Sequence, residues 1–501
     1  MKQTELLKQL DLSAAIDKEL AYTTKLLPNR TEQRVLPTLI SEVEKQIRGA
    51  LQRGGTAEPA GVVVASKTKG LRPLNLWRLQ DRIYYRALTE RLRPQMPPEL
   101  QQRGSHTAFE TLPYENERNE FIVFTDITAY YQYIDHDVLT DELIAQTGDF
   151  HTVMGGRVGI PQVHDCSDFL GDIYIDPIRR ALIRAGYDAH CFADDFRIGC
   201  SSLGQARAAL ELCASAARNL GLVLNDAKTY TYHRVTYAGT LNRISAAESE
   251  LLQEINLQGA ADFLFREDYS DTVVDIGPLQ PDFSGIDDAT PPRDDEENSD
   301  APGLDANAID LVRGVWQVWA TNNKYHGSQT VRLLLASALP VLGELDDMGP
   351  MNYLEDLLDI SPDLTPKVAD YLEKLARVDD FNSHMVGRKI DNLVRNDRLS
   401  DWQRLWLAHA ASAIRGTIVP PPTAEWLNDC VRAGSDILAA YAADALGQLK
   451  TGDFDALAAA LNRVGAEHRL PIVWALGQLD ADKAREIVDS ELERLMLPAQ
   501  P

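Results

Sequence analysis

Apolar residues recur at three- and four-residue spacing through the opening of the chain: Leu6, Leu7 and Leu10, then Val35, Leu36, Leu39, Ile40 and Val43. That period predicts amphipathic helices over residues 1–55, closed by Gly54-Gly55. The period then shortens to a strand signal at Gly61-Val62-Val63-Val64-Ala65 and lengthens again from Leu76 to Leu92. Arg82, Arg86, Arg91 and Arg93 on that second helix are candidates for contacts to a phosphate backbone. A compact apolar run, Phe121 to Thr125, predicts a buried strand ending at Asp126. Helices are expected over Asp168 to Leu182 and over 204–220, and a hairpin over Val235 to Leu241. From 306 to 499 only the helical period remains, and the pentapeptide ALGQL occurs at 445–449 and again at 475–479. Such a recurrence predicts stacked helical hairpins, a HEAT-like array.

These changes of pattern divide the chain into 1–120, 121–245, 246–305 and 306–501. The third segment stands apart in composition. Glu267 to Asp300 holds 12 acidic residues and one basic residue, with four prolines, too little apolar content to offset the entropy of ordering. It reads as a thumb-like or linker segment. The fold class expected is α+β, followed by an all-α half.

The 501 residues are 44% hydrophobic, enough for ordinary cores in two or three domains. A net charge of −25 argues against nucleic acid until it is divided along the chain. Residues 1–100 hold 17 Lys+Arg against 11 Asp+Glu, whereas residues 251–501 hold 21 against 43. A basic leading segment beside a carboxylate centre suits phosphate binding. Five cysteines without a C-x-x-C pair exclude a zinc ribbon and suit a reducing compartment. No apolar run is long enough to cross a membrane, and Met1 to Glu5 has no signal-peptide character. A cytoplasmic protein without membrane contact is expected.

The chemistry gathers at Phe192-Ala193-Asp194-Asp195. Phosphoryl transfer to a nucleotide uses two divalent metals about 3.5–4 Å apart. Mg²⁺ takes carboxylate oxygens and fills its remaining positions with phosphate and water. Asp194 and Asp195 supply half of such a site, and Asp126 at the end of its strand supplies the other half, for two Mg²⁺ or for Mn²⁺ in their place. Lys67, Lys69 and Arg72 surround a glycine and form a clamp for a nucleotide's phosphates. Tyr131, five positions after Asp126, can lie under the sugar and reject a 2′-hydroxyl. Gly159-Ile160-Pro161-Gln162 is a turn that brings Gln162 against a base pair, with Ser167 as a helix N-cap or a template contact. Lys228 is a candidate general acid for the departing pyrophosphate, and the 235–241 hairpin, with Tyr237 and Gly239, a holder of the primer end. Plainer alternatives accompany each: a solvated turn for Asp194-Asp195, a basic loop for Lys67 to Arg72, core aromatics for Tyr130, Tyr131 and Tyr133, a solvated lysine for Lys228.

In this order and spacing the blocks LRPLNL, FTDITAYYQYID, GIPQ…Ser167, FADD, GLVLNDAKT and YAGTL resemble the fingers and palm of a reverse transcriptase, a right-hand polymerase, over roughly residues 60–245. Phe192 stands where the family carries Tyr, Val163 where intron and retron enzymes carry Gly, and His164-Asp165-Cys166 replaces a Ser-Pro-rich segment. With an all-helical second half, the chain resembles the bacterial "unknown group" enzymes of the abortive-infection (AbiK-like) type. That resemblance implies DNA synthesis from deoxynucleoside triphosphates in anti-phage defence, with or without an RNA template. Several enzymes of that type are homo-oligomers, some use a non-coding RNA and some are primed by a protein hydroxyl, so an RNA partner, a homo-oligomer and a phage or host protein trigger are expected. Tyr325, Tyr353, Tyr371 and Tyr441 are candidate primers, with core residues as the plainer reading. Two other classes compete: a template-free terminal nucleotidyltransferase, and an interaction protein in which the helical array binds a partner. A nuclease pattern, R-x4-H at Arg404 and His409, reads as a helix-core histidine.

Overall fold

Apolar stripes from the two ends of the chain meet in one core. In the computed structural model, which describes residues 3–54, 57–67, 70–101, 104–139, 153–241, 306–415 and 419–499, the N-terminal helices Leu12–Ala21 and Ile40–Gln52 bury Ile16 and Ile47. These residues join one cluster with Val63 and Leu74 of the first hairpin and with Trp319, Leu335, Tyr371, Trp402 and Leu446 of the C-terminal half. Polar bonds fix the same junction. Trp402 Nε1 donates to the Leu26 carbonyl at 2.7 Å, and the Tyr441 hydroxyl donates to the Pro28 carbonyl at 3.0 Å. Asp444 accepts from Thr31 Oγ1 and from the Arg34 guanidinium, each at 2.7 Å.

The first hairpin pairs β1 (Gly61–Lys67) with β2 (Gly70–Leu76), antiparallel, with Lys67 opposite Gly70 and Arg72 opposite Ala65. A four-stranded antiparallel sheet follows, built from β3 (Phe121–Asp126), β4 (Asp188–Phe192), β5 (Asp195–Cys200) and β6 (Tyr230–His233) in the order β4-β5-β3-β6. Side chains alternate between its faces. Val123, Phe196 and Ile198 point into a second core, under helices Asp165–Arg184 and Leu203–Asn219, with Phe169, Ile173 and Cys213. The opposite face carries Asp126, Phe124, Asp195, Arg197, Phe192 and Tyr230 in register.

Every described element from residue 306 onward is a helix. Helices Gln329–Glu344, Thr365–Val378, Asp401–Ala411, Asp436–Leu449 and Arg469–Leu479 pack in a row, each against the next, with Asp380–Val394, Pro421–Ala433 and Phe454–Arg463 as a second row beside it. The ALGQL recurrence has a packing cause. A Cβ on Gly447 would meet Trp474 at 2.6 Å, and one on Gly477 would meet Pro498 at 2.8 Å. In both copies the glycine admits close approach of a neighbouring segment.

Three local expectations are corrected. The helix expected from Asp168 begins at Asp165; its N-cap is His164, whose side chain accepts from the Cys166 amide, so Ser167 is not the cap. Residues Arg234–Leu241 form a helix instead of a hairpin. β-forming Val235, Thr236 and Tyr237 are overruled by tertiary contacts: Tyr237 is buried with its hydroxyl donating to the Glu110 carbonyl at 2.8 Å, and Arg234 donates to the Asn116 carbonyl. Arg82 and Arg86 are buried in ion pairs and face no phosphate backbone. The acidic segment 246–305 and Thr68-Lys69 lie outside the described residues.

Candidate active site

Strand register brings three carboxylates together. Asp126 ends β3 directly opposite Asp195, the first residue of β5. Asp194 occupies the two-residue turn between β4 and β5, and its carbonyl accepts from the Ile127 amide at 3.0 Å, which ties the turn to the end of β3. Ala193 has φ 50°, whereas Asp194 is not in the positive-φ region, the pattern of a II′ hairpin turn whose twist matches the flanking strands. Burial first, then the charges of Asp195 and Asp126, push the Asp194 carboxyl up to about 8. Burial and then Asp195 raise Asp126 to about 6, against Lys228 and the Asn225 amide, which pull it down.

Two groups hold Asp126 from the segment before β6. Asn225 Nδ2 donates to Oδ2 at 3.1 Å while the Asn225 amide donates to the Asp126 carbonyl at 2.8 Å. Lys228 Nζ stands 3.4 Å from Oδ1, so the lysine from GLVLNDAKT does reach the carboxylate centre. Asn225 was not anticipated; its only sequence signal is its position three residues before Lys228. Arg197 was also missed, although its place two residues after Asp195 on a strand puts it on the same face. Its buried guanidinium lies over the Phe124 ring, 3.2 Å from the centroid, and over Phe109, with Asp195 and Glu110 each at 3.9 Å.

The remaining candidates lie on other elements. Lys67 and Arg72 share the hairpin face that carries buried Val63, Ala65 and Leu74. Tyr131 follows β3 in the short helix Tyr130–Tyr133, its hydroxyl donating to Asp168 Oδ1 at 2.5 Å and its ring 5.2 Å from that of Tyr130. Gln162 lines a cavity of about 30 Å³ with Trp77, Asn75, Arg30, Arg82 and His164. Beside it Val163 adopts φ 60°, a left-handed conformation that is costly for a β-branched residue. Ser167 is fully buried, its hydroxyl 2.8 Å from that of Tyr85, out of reach of a template strand. Gly239 lies exposed on helix Arg234–Leu241 and makes no hairpin. Tyr371 and Tyr441 take the plainer reading as core residues, since both hydroxyls donate to main-chain carbonyls inside the molecule.

The carboxylates fit divalent cations. Three of them converge, with Lys228 beside Asp126 and Arg197 beside Asp195 as positive charge, and burial followed by the like charges holds two carboxyls above the ordinary carboxylate range. A second group, His164-Asp165-Cys166, brings ligand-type atoms within 4.8 Å of one another. It fits a metal poorly. His164 uses both ring nitrogens, toward Glu19 at 3.1 Å and the Cys166 amide at 3.2 Å, while Asp165 accepts both terminal nitrogens of Arg86 at 2.8 Å. Burial pushes the Cys166 thiol well up, away from the thiolate a metal needs.

Residues 64–242 match the family model described as reverse transcriptase (RNA-dependent DNA polymerase). They are a reverse transcriptase domain. The match runs from the first hairpin through helix Arg234–Leu241 and encloses all three aspartates. A search of curated proteins finds no match to the chain. The match indicates an enzyme of the reverse transcriptase or DNA polymerase kind; domains of this description imply nucleic acid and nucleotide substrates and generally use divalent metals. No described helix is long and apolar enough to cross a membrane.

Proposed function

We propose that the reverse transcriptase domain adds deoxynucleotides to a 3′-hydroxyl by phosphoryl transfer at Asp126, Asp194 and Asp195. The observation that carries this reading is the pairing of Asp126 with Asp195 across β3 and β5, with Asp194 in the adjoining turn. Two Mg²⁺, or Mn²⁺, held by these carboxylates would supply charge against the developing phosphoryl oxygens. Asn225 and Lys228 fix the Asp126 carboxylate, and Lys228 stands close enough to the centre to give a proton to the leaving pyrophosphate. Lys67 and Arg72 hold the triphosphate, Gln162 contacts the nascent pair, and the Tyr131 ring excludes a 2′-hydroxyl. Replacing Asp194 and Asp195 together by Ala is expected to reduce incorporation of labelled deoxynucleotides to background with an unchanged circular dichroism spectrum. Incorporation at the wild-type rate by that variant would sink the assignment.

A template-free mode is favoured by one specific departure: Ser167, the residue expected at the template, is buried against Tyr85. Sequencing the product made with and without added RNA separates the two modes. A product independent of the RNA supports template-free addition. For the second half of the chain we read the two rows of helices as a HEAT-like array that recruits a partner. The setting proposed, on the resemblance to abortive-infection enzymes, is cytoplasmic anti-phage defence by a homo-oligomer. Loss of phage protection in the double aspartate variant supports a polymerase role there. Intact protection would shift the function to the helical array.

A further inference from the structure

Tyr131 is gripped at both ends. Its main-chain carbonyl accepts from the Ile160 amide at 2.8 Å, in the turn that leads to Gln162. Its hydroxyl reaches Asp168, in the first turn of helix Asp165–Arg184, at 2.5 Å, the length of a strong hydrogen bond to an anion. The residue before it is locked as well. The Tyr130 hydroxyl donates to the Gly171 carbonyl, and a Cβ on Gly171 would stand 3.1 Å from the Tyr130 ring, so the tyrosine pair sits against one helix at two points a turn apart. Sugar selection by exclusion needs a ring that does not yield, because a side chain free to turn about χ1 makes room for an added hydroxyl at little cost. An unsubstituted phenyl ring has no hydrogen bond with which to resist. A tyrosine whose hydroxyl is held by a carboxylate does.

We propose that Asp168 is a specificity-determining positioning residue, which holds the Tyr131 ring in place and so sets how strongly the domain rejects ribonucleotides. The inference rests on the reading of Tyr131 as the residue under the sugar. Asp168 acts through the tyrosine, from whose hydroxyl it accepts. The ligand class discriminated is the nucleoside triphosphate with and without a 2′-hydroxyl.

The test compares dATP with ATP for the full chain, as the ratio of kcat/KM in extension and as the ratio of equilibrium affinities, the second being independent of any template. Tyr131→Ala should collapse the ratio. Tyr131→Phe and Asp168→Ala should each lower it by about tenfold, the order expected for one charge-assisted hydrogen bond. Their combination should lower it no further than either alone, since both remove the same bond. Asp168→Asn, which keeps an acceptor oxygen, should restore most of the discrimination and serves in place of Asp168→Ala if that variant fails to fold. An unchanged ratio in Asp168→Ala, with the ratio lost in Tyr131→Ala, overturns the role of Asp168 and leaves the sugar gate standing. Additive effects of Tyr131→Phe and Asp168→Ala overturn it too. An unchanged ratio in Tyr131→Ala removes the gate itself.

Discussion

The proton on Asp194 is the quantity that reports on the carboxylate centre. In the unfolded chain an aspartate releases its proton near pH 4, whereas burial, Asp195 and Asp126 keep the folded Asp194 protonated up to about 8. Between those values the folded state binds a proton that the unfolded state does not, so stability falls as pH rises. Metal-free protein should therefore show a declining Tm from pH 5 to pH 8.5. Asp194→Asn should flatten that decline and raise Tm at the alkaline end, and MgCl₂ should raise the wild-type Tm there and not the variant's. A wild-type Tm that climbs with pH in the absence of metal contradicts the assignment. Val163 offers a second residue-scale test. At φ 60° a Cβ is a burden, so Gly should be more stable than Ala at this position by about 1 kcal/mol, the reverse of an ordinary site. Chemical denaturation of Val163→Gly and Val163→Ala measures the difference.

At the scale of elements, Arg234–Leu241 is where strand-forming residues became a helix. Gly239 in that helix is exposed, and a Cβ there meets nothing within 4 Å. Gly239→Ala should stabilise the protein by about 0.5–1 kcal/mol, the helix-propensity difference. A loss of stability would mean that the segment is not helical in solution. The β4-β5 turn shows the opposite case, an element whose chemistry depends on tight geometry. A II′ turn leaves two residues between the strands, and a longer loop would carry Asp194 away from Asp126.

At the scale of the molecule, the core under the four-stranded sheet and the core shared by the two chain ends are joined by buried charge. Arg82 pairs with Glu19 at 3.0 Å and with Glu32 at 2.5 Å, and Arg86 pairs with Glu19 at 2.9 Å and with Asp165 at 2.8 Å. Burial alone would push the Glu19 carboxyl up, but His164, Arg82 and Arg86 hold it far below the ordinary carboxylate range. Its contribution is complete at neutral pH and is lost progressively as pH falls below the ordinary glutamate value toward the depressed folded one. Glu19→Gln leaves two buried guanidinium groups short of a counter-charge and should cost about 3–5 kcal/mol, read from denaturant midpoints. Because Leu26, Pro28, Thr31 and Arg34 bond to helices beyond residue 400, the N-terminal helices and the C-terminal array should melt in a single transition. Two separate calorimetric peaks for those regions would contradict the shared core.

Local pattern was sufficient where the determinant is local. The apolar run before Asp126, the paired aspartates and the helical period beyond 306 follow from alternation and spacing, so β3 and the all-helical second half were readable from the sequence alone. The order of the blocks around them also pointed to the polymerase, because the sequence of chemistry along the chain survives folding. What the tertiary structure decided were pairings between distant residues. Ser167 turned inward to Tyr85, Tyr237 was captured by Glu110, Arg82 and Arg86 were drawn from solvent to Glu19, and the two ends of the chain merged their apolar faces. The free energy of burying and pairing such groups depends on what each one meets, and a linear pattern does not contain that information.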